Sequence, residues 1–306
     1  MVAGVYANNG SFLADLSQLE NRISEVNKQI SSGFRVNQAS DDPSAVAPIL
    51  AYQGQIAEIK QVQTNLNNAQ TEAQTADGAL ETASTLMDQL VSLGAEGASS
   101  TSSAANRAVL GEQVQNIEQQ LVAVANTSIG GTYIFGGDSS STAPYAYSGT
   151  GSEGVIASGT PTNTATLRDA DGNEIIPRLT AQQIFDVKNP DGTPASGNIF
   201  QAAFALSTAL LANDQVGIQT ALNQVKAGSA QLQQSTTAYG NIETWIQQGS
   251  QTATTHLNQV TQALSEIRDS DIAADATQLS LDQTALQAAL AAHASLSTKS
   301  LFSFLG

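Results

Sequence analysis

Gly149, Gly151 and Gly154 form the pattern G-x-G-x-x-G, whose best-known chemistry is the binding of a dinucleotide pyrophosphate. That chemistry requires the glycine turn to open a helix, because the N–H groups at the helix N-terminus hold the phosphates. Here the glycines run into VIASGTPTNT, which cannot open a helix. The pattern therefore predicts a flexible loop and no nucleotide site.

The stretch DADGN (169–173) resembles the start of a calcium-binding loop. Such a loop needs glycine at its sixth position and glutamate at its twelfth, but these positions hold Glu174 and Thr180. We therefore predict a turn there. His256 and His293 lie far apart in helical stretches and lack the i, i+4 partner of a zinc-binding helix. Cysteine is absent, which excludes disulfides, a thiolate nucleophile and thiolate metal ligands.

Asp41 and Asp42 are adjacent carboxylates that could act as a general acid and base. Asp42 directly precedes Pro43, however, and this is the order expected where a helix begins, with aspartate as the N-cap and proline at the first helical position. Capping explains the pair better than catalysis does. The sequence therefore indicates no catalytic, cofactor-binding or metal-binding residue, and an enzyme is the least expected class.

The charge balance is acidic, with 27 Asp and Glu against 11 Lys and Arg and a net charge of −16. This argues against nucleic acid as a partner, because phosphate binding needs clustered basic residues. It also disfavours anionic membrane surfaces. The N-terminal stretch lacks the pattern of a cleaved signal peptide, and no segment reaches transmembrane length. We expect a chain that is cytoplasmic or exported without a cleaved signal, and no membrane insertion.

The N-terminal segment has the periodicity of a helix that packs along a partner helix. Its apolar residues alternate in spacings of four and three, which is the heptad pattern. Gly33 is expected just beyond the end of this helix, where a left-handed residue is common. The six heptad positions are Phe12, Leu16, Leu19, Ile23, Val26 and Ile30.

Helical patterning also covers most of the remaining chain. A second helical start is predicted at Pro43, and beyond Pro48 a heptad pattern rich in alanine predicts a long helix with close helix–helix approach. The heptad register slips near Asp271, which is typical of a stutter. The predicted helices after Pro48 span 49–93, 106–128, 199–211, 213–251 and 252–300.

Residues 139–196 differ in composition, because five of the seven prolines lie there among Gly, Ser and Thr runs and short β-prone stretches. Asp171-Gly172 is a turn dipeptide between two strand-like runs. We predict a small β domain inserted into a helical rod whose two terminal helices pair. The stretch SIGGTYIFGGDS (128–139) is then a joint, since its glycines allow unusual backbone angles and its aromatic residues can anchor the chain.

The stretch ISSGFRVNQASDDPSAVA (30–47) resembles the N-terminal signature of bacterial flagellins and their axial relatives. A C-terminal stretch (266–296) resembles the paired C-terminal segment of the same family, with Asp269, Asp271, Ile272 and Ala273 in the typical cluster. The matching N-terminal positions are Ser32, Gly33, Arg35, Asn37, Ala39, Asp41, Asp42 and Pro43.

Two features resemble the hook-associated protein 3, or hook–filament junction, branch of that family. One is GTYIFGG (131–137), which contains Tyr133, Phe135, Gly136 and Gly137, and the other is the C-terminal SLFSFLG. The resemblance implies a mainly α, flagellin-like rod with paired terminal coiled-coil helices and a small inserted β domain. It also implies three domains, which are terminal helical (1–42 and 264–306), helical rod (43–138 and 197–263) and β-rich outer (139–196).

The same resemblance implies a structural role in the extracellular flagellum after export through the flagellar type III apparatus. The implied partners are hook-associated protein 1, flagellin, further copies of the chain in a ring and an export chaperone before secretion. No cofactor is implied. The residues expected at the assembly interface are Phe12, Leu16, Leu19, Ile23, Val26, Ile30, Leu279, Leu286, Leu290, Leu301, Phe302 and Phe304.

Two other functions stay open at this point. A filament flagellin would share the fold but polymerise indefinitely, and it would form long filaments by self-assembly. A secreted coiled-coil adhesin or effector would bind its target through 139–196 and would be dispensable for filament formation.

Overall fold

The structure is a computed structural model that describes residues 2–159, 161 and 166–305, with side chains described for 10–159, 161 and 166–294. These residues form seven α-helices and six short strands, which confirms the mainly α fold class. The helices are α1 (Val2–Ser32), α2 (Pro43–Ala98), α3 (Ala104–Ala125), α4 (Ala181–Ile184), α5 (Ile199–Leu211), α6 (Gln215–Arg268) and α7 (Ile272–Leu305). The strands are β1 (Ser128–Ile129), β2 (Thr132–Tyr133), β3 (Tyr145–Tyr147), β4 (Val155–Ala157), β5 (Leu167–Arg168) and β6 (Glu174–Ile175).

The chain divides into two compact units. The first, which we call the terminal unit, comprises Met1–Glu58 and Leu257–Gly306. The second, the central unit, comprises Ile59–His256. In the terminal unit α1 packs against α7, so the expected pairing of the two terminal helices is confirmed. The three domain boundaries expected from the sequence stay a prediction.

The start of α2 follows the expected capping pattern. The Asp42 Oδ1 atom accepts hydrogen bonds from the Ser44 and Ala45 N–H groups, each at 3.2 Å, and Pro43 is the first helical residue. The long helix does not begin after Pro48, as the sequence analysis expected, but runs through it. Pro48 lies in the second turn, where its missing N–H costs a single backbone hydrogen bond.

The helix expected over about 213–251, whose end was left open, continues to Arg268 as α6, so the expected start of the last helix at 252 is wrong. The chain breaks instead at 269–271, and the Asp271 Oδ1 atom accepts hydrogen bonds from Ala273 N (3.0 Å) and Ala274 N (3.1 Å). Asp271 thereby caps α7, since these N–H groups have no partner within the helix. The slip in the heptad is a break between two helices and not a stutter within one.

The central unit is built around α2, α3, α5 and α6. The heptad alanines of α2 are buried in the hydrophobic core. α3 packs on α5 so closely that a Cβ atom on Gly111 would lie 2.8 Å from the Leu211 Cγ atom. The expected helix 106–128 ends earlier, at Ala125, because Ser128 pairs with Tyr133 in a hairpin. The helix 199–211 is confirmed as α5.

The segment 139–196 contains two two-stranded antiparallel sheets and the short α4 in its described part. β3 pairs with β4, and β5 pairs with β6 through the expected turn at Asp171-Gly172. The Asp169 Oδ1 atom accepts hydrogen bonds from the Asp171 and Asn173 N–H groups, which shapes this turn. These short sheets pack on the helices, since Tyr145 and Ile175 belong to the same hydrophobic core as α2 and α5.

Candidate assembly interface

The heptad residues of α1 lie at its contact with α7 within the same chain. Leu19 and Val26 are buried, and the ring of Phe12 stacks on His293 with centroids 4.1 Å apart. The sequence predicted both a pairing of the terminal helices within the chain and an interface between copies. The structure shows the pairing, and the interface stays a prediction. The half-buried expected positions are Phe12, Leu16, Ile23, Ile30, Leu279 and Leu286.

Other apolar side chains of the terminal unit point to solvent. Leu13 is 62% exposed and Leu281 is 60% exposed, and neither was singled out from the sequence, because both fall outside the heptad pattern. Leu290, which was expected at the interface, is 48% exposed. These side chains are available to a neighbouring molecule, and single exposed positions carry no periodic signal in the sequence.

Three further residues of the expected interface lie at the C-terminal end. Leu301, Phe302 and Phe304 belong to α7, but their side chains lie outside the described residues. Their place at an interface between copies stays a prediction.

The signature residues form a second feature of the terminal unit, in which residues 32–43 bind residues 265–275. We call this contact the N–C clasp. The Arg35 backbone N–H donates to Arg268 O at 2.7 Å, and the Arg35 guanidinium donates to Ile267 O at 2.7 Å. The Ser270 N–H donates to Gly33 O at 3.0 Å. The end of α1 is thereby tied to the break between α6 and α7.

Backbone geometry and one aromatic contact complete the clasp. Gly33 has φ of +74°, a conformation that strains residues with a Cβ atom, so glycine is needed where the chain leaves α1. The Arg268 guanidinium lies 4.0 Å from the centroid of the Phe34 ring, which is a cation–π contact. Phe34 was not singled out from the sequence, since its partner lies far away along the chain.

The polar signature residues hold the loop of the clasp in shape. Ser32 Oγ accepts a hydrogen bond from the Phe34 N–H at 3.1 Å, and Asn37 Nδ2 donates to Phe34 O at 2.8 Å. The Arg35 guanidinium also forms an ion pair with Asp42 at 3.1 Å. Each signature residue therefore has a local conformational role.

Asp41 and Asp42 are stabilised as carboxylates, which fits structural and not acid–base roles. Desolvation acts to raise the pKa of Asp41, but hydrogen bonds from the Asn37 and Gln38 N–H groups outweigh it and lower the pKa below its usual value. The hydrogen bonds from Ser44 and Arg35 lower the pKa of Asp42. Both groups are charged at neutral pH, and a general acid would need the opposite shift.

The stretch 128–139 forms a tight hairpin in the central unit. Gly130 and Gly131 form its turn with φ of +58° and +85°, and strands β1 and β2 lie on either side of this turn. Phe135 is fully buried, with its ring centroid 5.8 Å from that of Phe185. The expected glycine-rich joint with an aromatic anchor is confirmed.

The other signature residues of this stretch have separate roles. A Cβ atom on Gly136 would lie 2.8 Å from Ser140 Cα, so no side chain fits there without backbone movement. Gly137 has φ of +57° and begins a short 3-10 turn. Tyr133 is half-buried, and its N–H donates to Ser140 O at 2.8 Å.

The motifs considered for chemistry form ordinary loops. The glycines at 149, 151 and 154 lie in the loop between β3 and β4, as predicted. A strand follows this loop, and not the helix that a dinucleotide site requires. His256 Nε2 lies 3.4 Å from an oxygen of Asp171. In the described part of the chain, no group of three or more His, Asp or Glu side chains is placed to hold a metal ion. Within the same part, no helix combines the length and apolar composition needed to cross a bilayer.

Comparisons with known proteins fit this geometry. Residues 6–140 match the family model described as the bacterial flagellin N-terminal helical region. The chain is 28% identical to flagellar hook-associated protein 3 of Escherichia coli (strain K12) over 299 residues, which cover 90% of each chain. It is 27% identical to a flagellin of Clostridium tyrobutyricum over 122 residues, which cover 40% of this chain but only 32% of that flagellin.

A solved structure shares the fold. Flagellar hook associated protein-3 from Legionella pneumophila superposes with a TM-score of 0.61 at 13% identity, covering 72% of this chain and 98% of that one. Three observations agree. They are the clasp formed by the signature residues, the family-model match of residues 6–140 and the match along 90% of the chain. The chain is similar to the bacterial flagellin N-terminal helical region over residues 6–140, and it is similar to flagellar hook-associated protein 3 over 90% of its length.

Proposed function

We propose that this chain is the structural subunit that joins the hook to the flagellin filament in the bacterial flagellum. The observation that carries the proposal is the similarity to flagellar hook-associated protein 3 over 90% of both chains. The flagellin match covers 40% of the chain, so it does not account for the rest. The proposed role is mechanical and involves no enzymatic activity, catalytic residue or cofactor.

Assembly is proposed to occur through the terminal unit. Neighbouring copies would cover exposed apolar side chains such as Leu13, Leu281 and Leu290, together with the C-terminal residues of α7. Removing apolar surface from water contributes about 25 cal/mol per Å². The N–C clasp would hold the end of α1 against the start of α7 while neighbours bind.

The proposed partners are hook-associated protein 1 on one side, flagellin on the other and further copies of the chain in a ring. Before assembly, the chain would be exported through the flagellar type III apparatus with the help of an export chaperone. The terminal helices 1–42 and 264–306 would line the inner tube, the helical rod (43–138 and 197–263) would lie outside them, and 139–196 would face solvent.

A filament flagellin is the second candidate, and the match of residues 6–140 to the flagellin N-terminal helical region favours it. The two functions predict different defects in cells that lack the chain. We would examine such cells by electron microscopy and probe the spent medium for flagellin. Bare hooks with flagellin in the medium support the junction role, bare hooks without it support the filament subunit, and normal filaments refute both.

A point substitution tests the terminal unit directly. Leu19→Asp places a charge in the buried contact between α1 and α7, so we expect secretion to continue while incorporation into flagella is lost. Ser17→Asp is the matched control, because Ser17 is an exposed residue of the same helix. Immunoblots of medium and of sheared flagella measure the two steps. Normal incorporation of the Leu19→Asp chain would contradict the proposal that assembly needs the folded terminal unit.

A further inference from the structure

Asp282 occupies a position of α7 where an apolar residue is expected. It lies between Leu279 and Leu286 with the spacing of a heptad, and only 4% of its surface is exposed. A carboxylate at a helix–helix seam is costly, because it loses water that apolar neighbours cannot replace. Polar residues are kept at such positions in coiled coils where they select one alignment of the helices.

The contacts of Asp282 show how its charge is balanced. Its Oδ1 atom lies 3.4 Å from Arg22 Nη2 on α1 and accepts a hydrogen bond from Gln278 Nε2 at 3.1 Å. Its Oδ2 atom is buried and has no hydrogen-bond partner among the described residues. The carboxylate is therefore only half satisfied, and Arg22 supplies the positive charge from the opposite helix.

The alignment of the two helices follows from three contacts. Phe12 stacks on His293, Arg22 forms an ion pair with Asp282, and Gly33 O accepts a hydrogen bond from the Ser270 N–H. The helices are therefore antiparallel, and an apolar seam that repeats every heptad would tolerate a slide by one repeat. The seam alone does not specify this alignment.

A slide by one heptad would remove the partner of Asp282. In one direction Asp282 would face Asp15, which adds repulsion, and in the other it would face Gln29, which has no charge. Lys28 lies beside Gln29, but its ammonium group is 3.7 Å from Asp41 in the N–C clasp. The observed alignment is the one that places a free guanidinium next to the buried carboxylate.

We infer that the Arg22–Asp282 pair sets the register of α1 against α7 along the seam, where the N–C clasp fixes only the end of α1, and that both are positioning residues for assembly. The pair selects one alignment at some cost in stability, so that every copy presents the same surface to its neighbours. The consequence of this register for assembly rests on the proposed function. The register itself can be measured separately from that role.

Disulfide trapping in the purified full-length chain measures the register, because the chain has no native cysteine. The pair Phe12→Cys with His293→Cys reports the observed alignment. The pair Phe12→Cys with Leu286→Cys reports a slide by one heptad in the direction that would bring Asp282 opposite Asp15. Intramolecular cross-links are distinguished from those between copies by electrophoretic mobility. In the otherwise unchanged chain we expect the first cross-link to exceed the second at least tenfold.

Asp282→Leu is the decisive variant, because it places an apolar residue at this charged position of the seam and is expected to fold. We expect the ratio of the two cross-links to fall about tenfold in Asp282→Leu and in Arg22→Asp. The double variant Arg22→Asp with Asp282→Arg should restore the ratio, because the opposite charges again meet. Glu20→Arg is the control for a charge change at an exposed position of α1 and should leave the ratio unchanged.

An unchanged ratio in Asp282→Leu would overturn the inference, since a purely structural pair can be replaced by an apolar residue without loss of register. Failure of the double variant to restore the ratio would also overturn it. The proposed function is decided separately, by the flagella of cells that lack the chain.

Discussion

Replacing Arg107 by alanine is expected to destabilise the central unit strongly. Arg107 lies in the first turn of α3 and is only 7% exposed. Its Nε atom donates to Gly97 O at 2.8 Å and its Nη2 atom to Ser99 O at 3.1 Å, at the C-terminal end of α2. Its Nη1 atom donates to Asn213 Oδ1 at 2.7 Å, in the turn between α5 and α6. One side chain thus links two helix connections.

The magnitude follows from these contacts. A hydrogen bond that involves a charged group contributes about 1.5–3 kcal/mol, but bonds from one guanidinium are not additive. The Gly97 carbonyl is among the last of α2, which lack partners within the helix and carry the negative end of its dipole. We therefore expect a loss of about 3 kcal/mol, which lowers the Tm of a unit of this size by roughly 6–12 °C.

Thermal unfolding of the purified protein, followed by circular dichroism, measures the effect. Arg168→Ala is the matched control, because Arg168 forms an ion pair with Glu174 that is exposed on both sides and should contribute less than about 1 kcal/mol. Arg107→Lys should lose most of the stability as well, since an ammonium group cannot reproduce the planar fork. A fall in Tm for Arg107→Ala no greater than that for Arg168→Ala would refute the reasoning.

Three further predictions concern charge and space. Glu118 is buried and desolvation raises its pKa, although side-chain hydrogen bonds with Ser207 and Tyr147 offset part of the rise, so Glu118→Gln should raise the free energy of unfolding by about 1–3 kcal/mol at pH 7. The gain should vanish below the unfolded-state pKa of 4.5, and an equal Tm for both proteins at pH 7 would contradict it. The pKa values of Asp41 and Asp42 are lowered, so the N–C clasp should weaken as the pH falls below 3.8. Hydrogen exchange of the Asn37 amide measures this weakening, and protection of that amide that persists in acid would refute the prediction. Gly136→Ala should cost about 1–3 kcal/mol because its Cβ atom meets backbone, and an unchanged Tm would show that the hairpin adjusts.

Local patterns in the sequence predicted most of the elements. The heptad of α1, the aspartate-proline start of α2 and the turn at Asp171-Gly172 each involve residues close together in the chain, and the structure has them where they were expected. The boundary between the last two helices was misplaced. The cap by Asp271 decides it, but an aspartate within a periodic stretch is equally compatible with an exposed helical position.

The contacts that hold the terminal unit could not be deduced in the same way. The cation–π contact of Phe34 with Arg268 and the ion pair of Arg22 with Asp282 join opposite ends of the chain. Nothing in the local sequence around either residue specifies such a partner. The sequence likewise predicted that the two terminal helices pair, but not which residue of α7 meets which residue of α1.

The sequence by itself therefore determined the helical class, the glycine-rich joint and the loop character of the motifs that resembled active sites. These follow from backbone geometry and side-chain periodicity, which act over a few residues. The tertiary structure alone decided which apolar side chains stay exposed and which carboxylates are buried. Both depend on groups brought together from distant parts of the chain, and the free energy of a charge or an apolar surface is set by those neighbours.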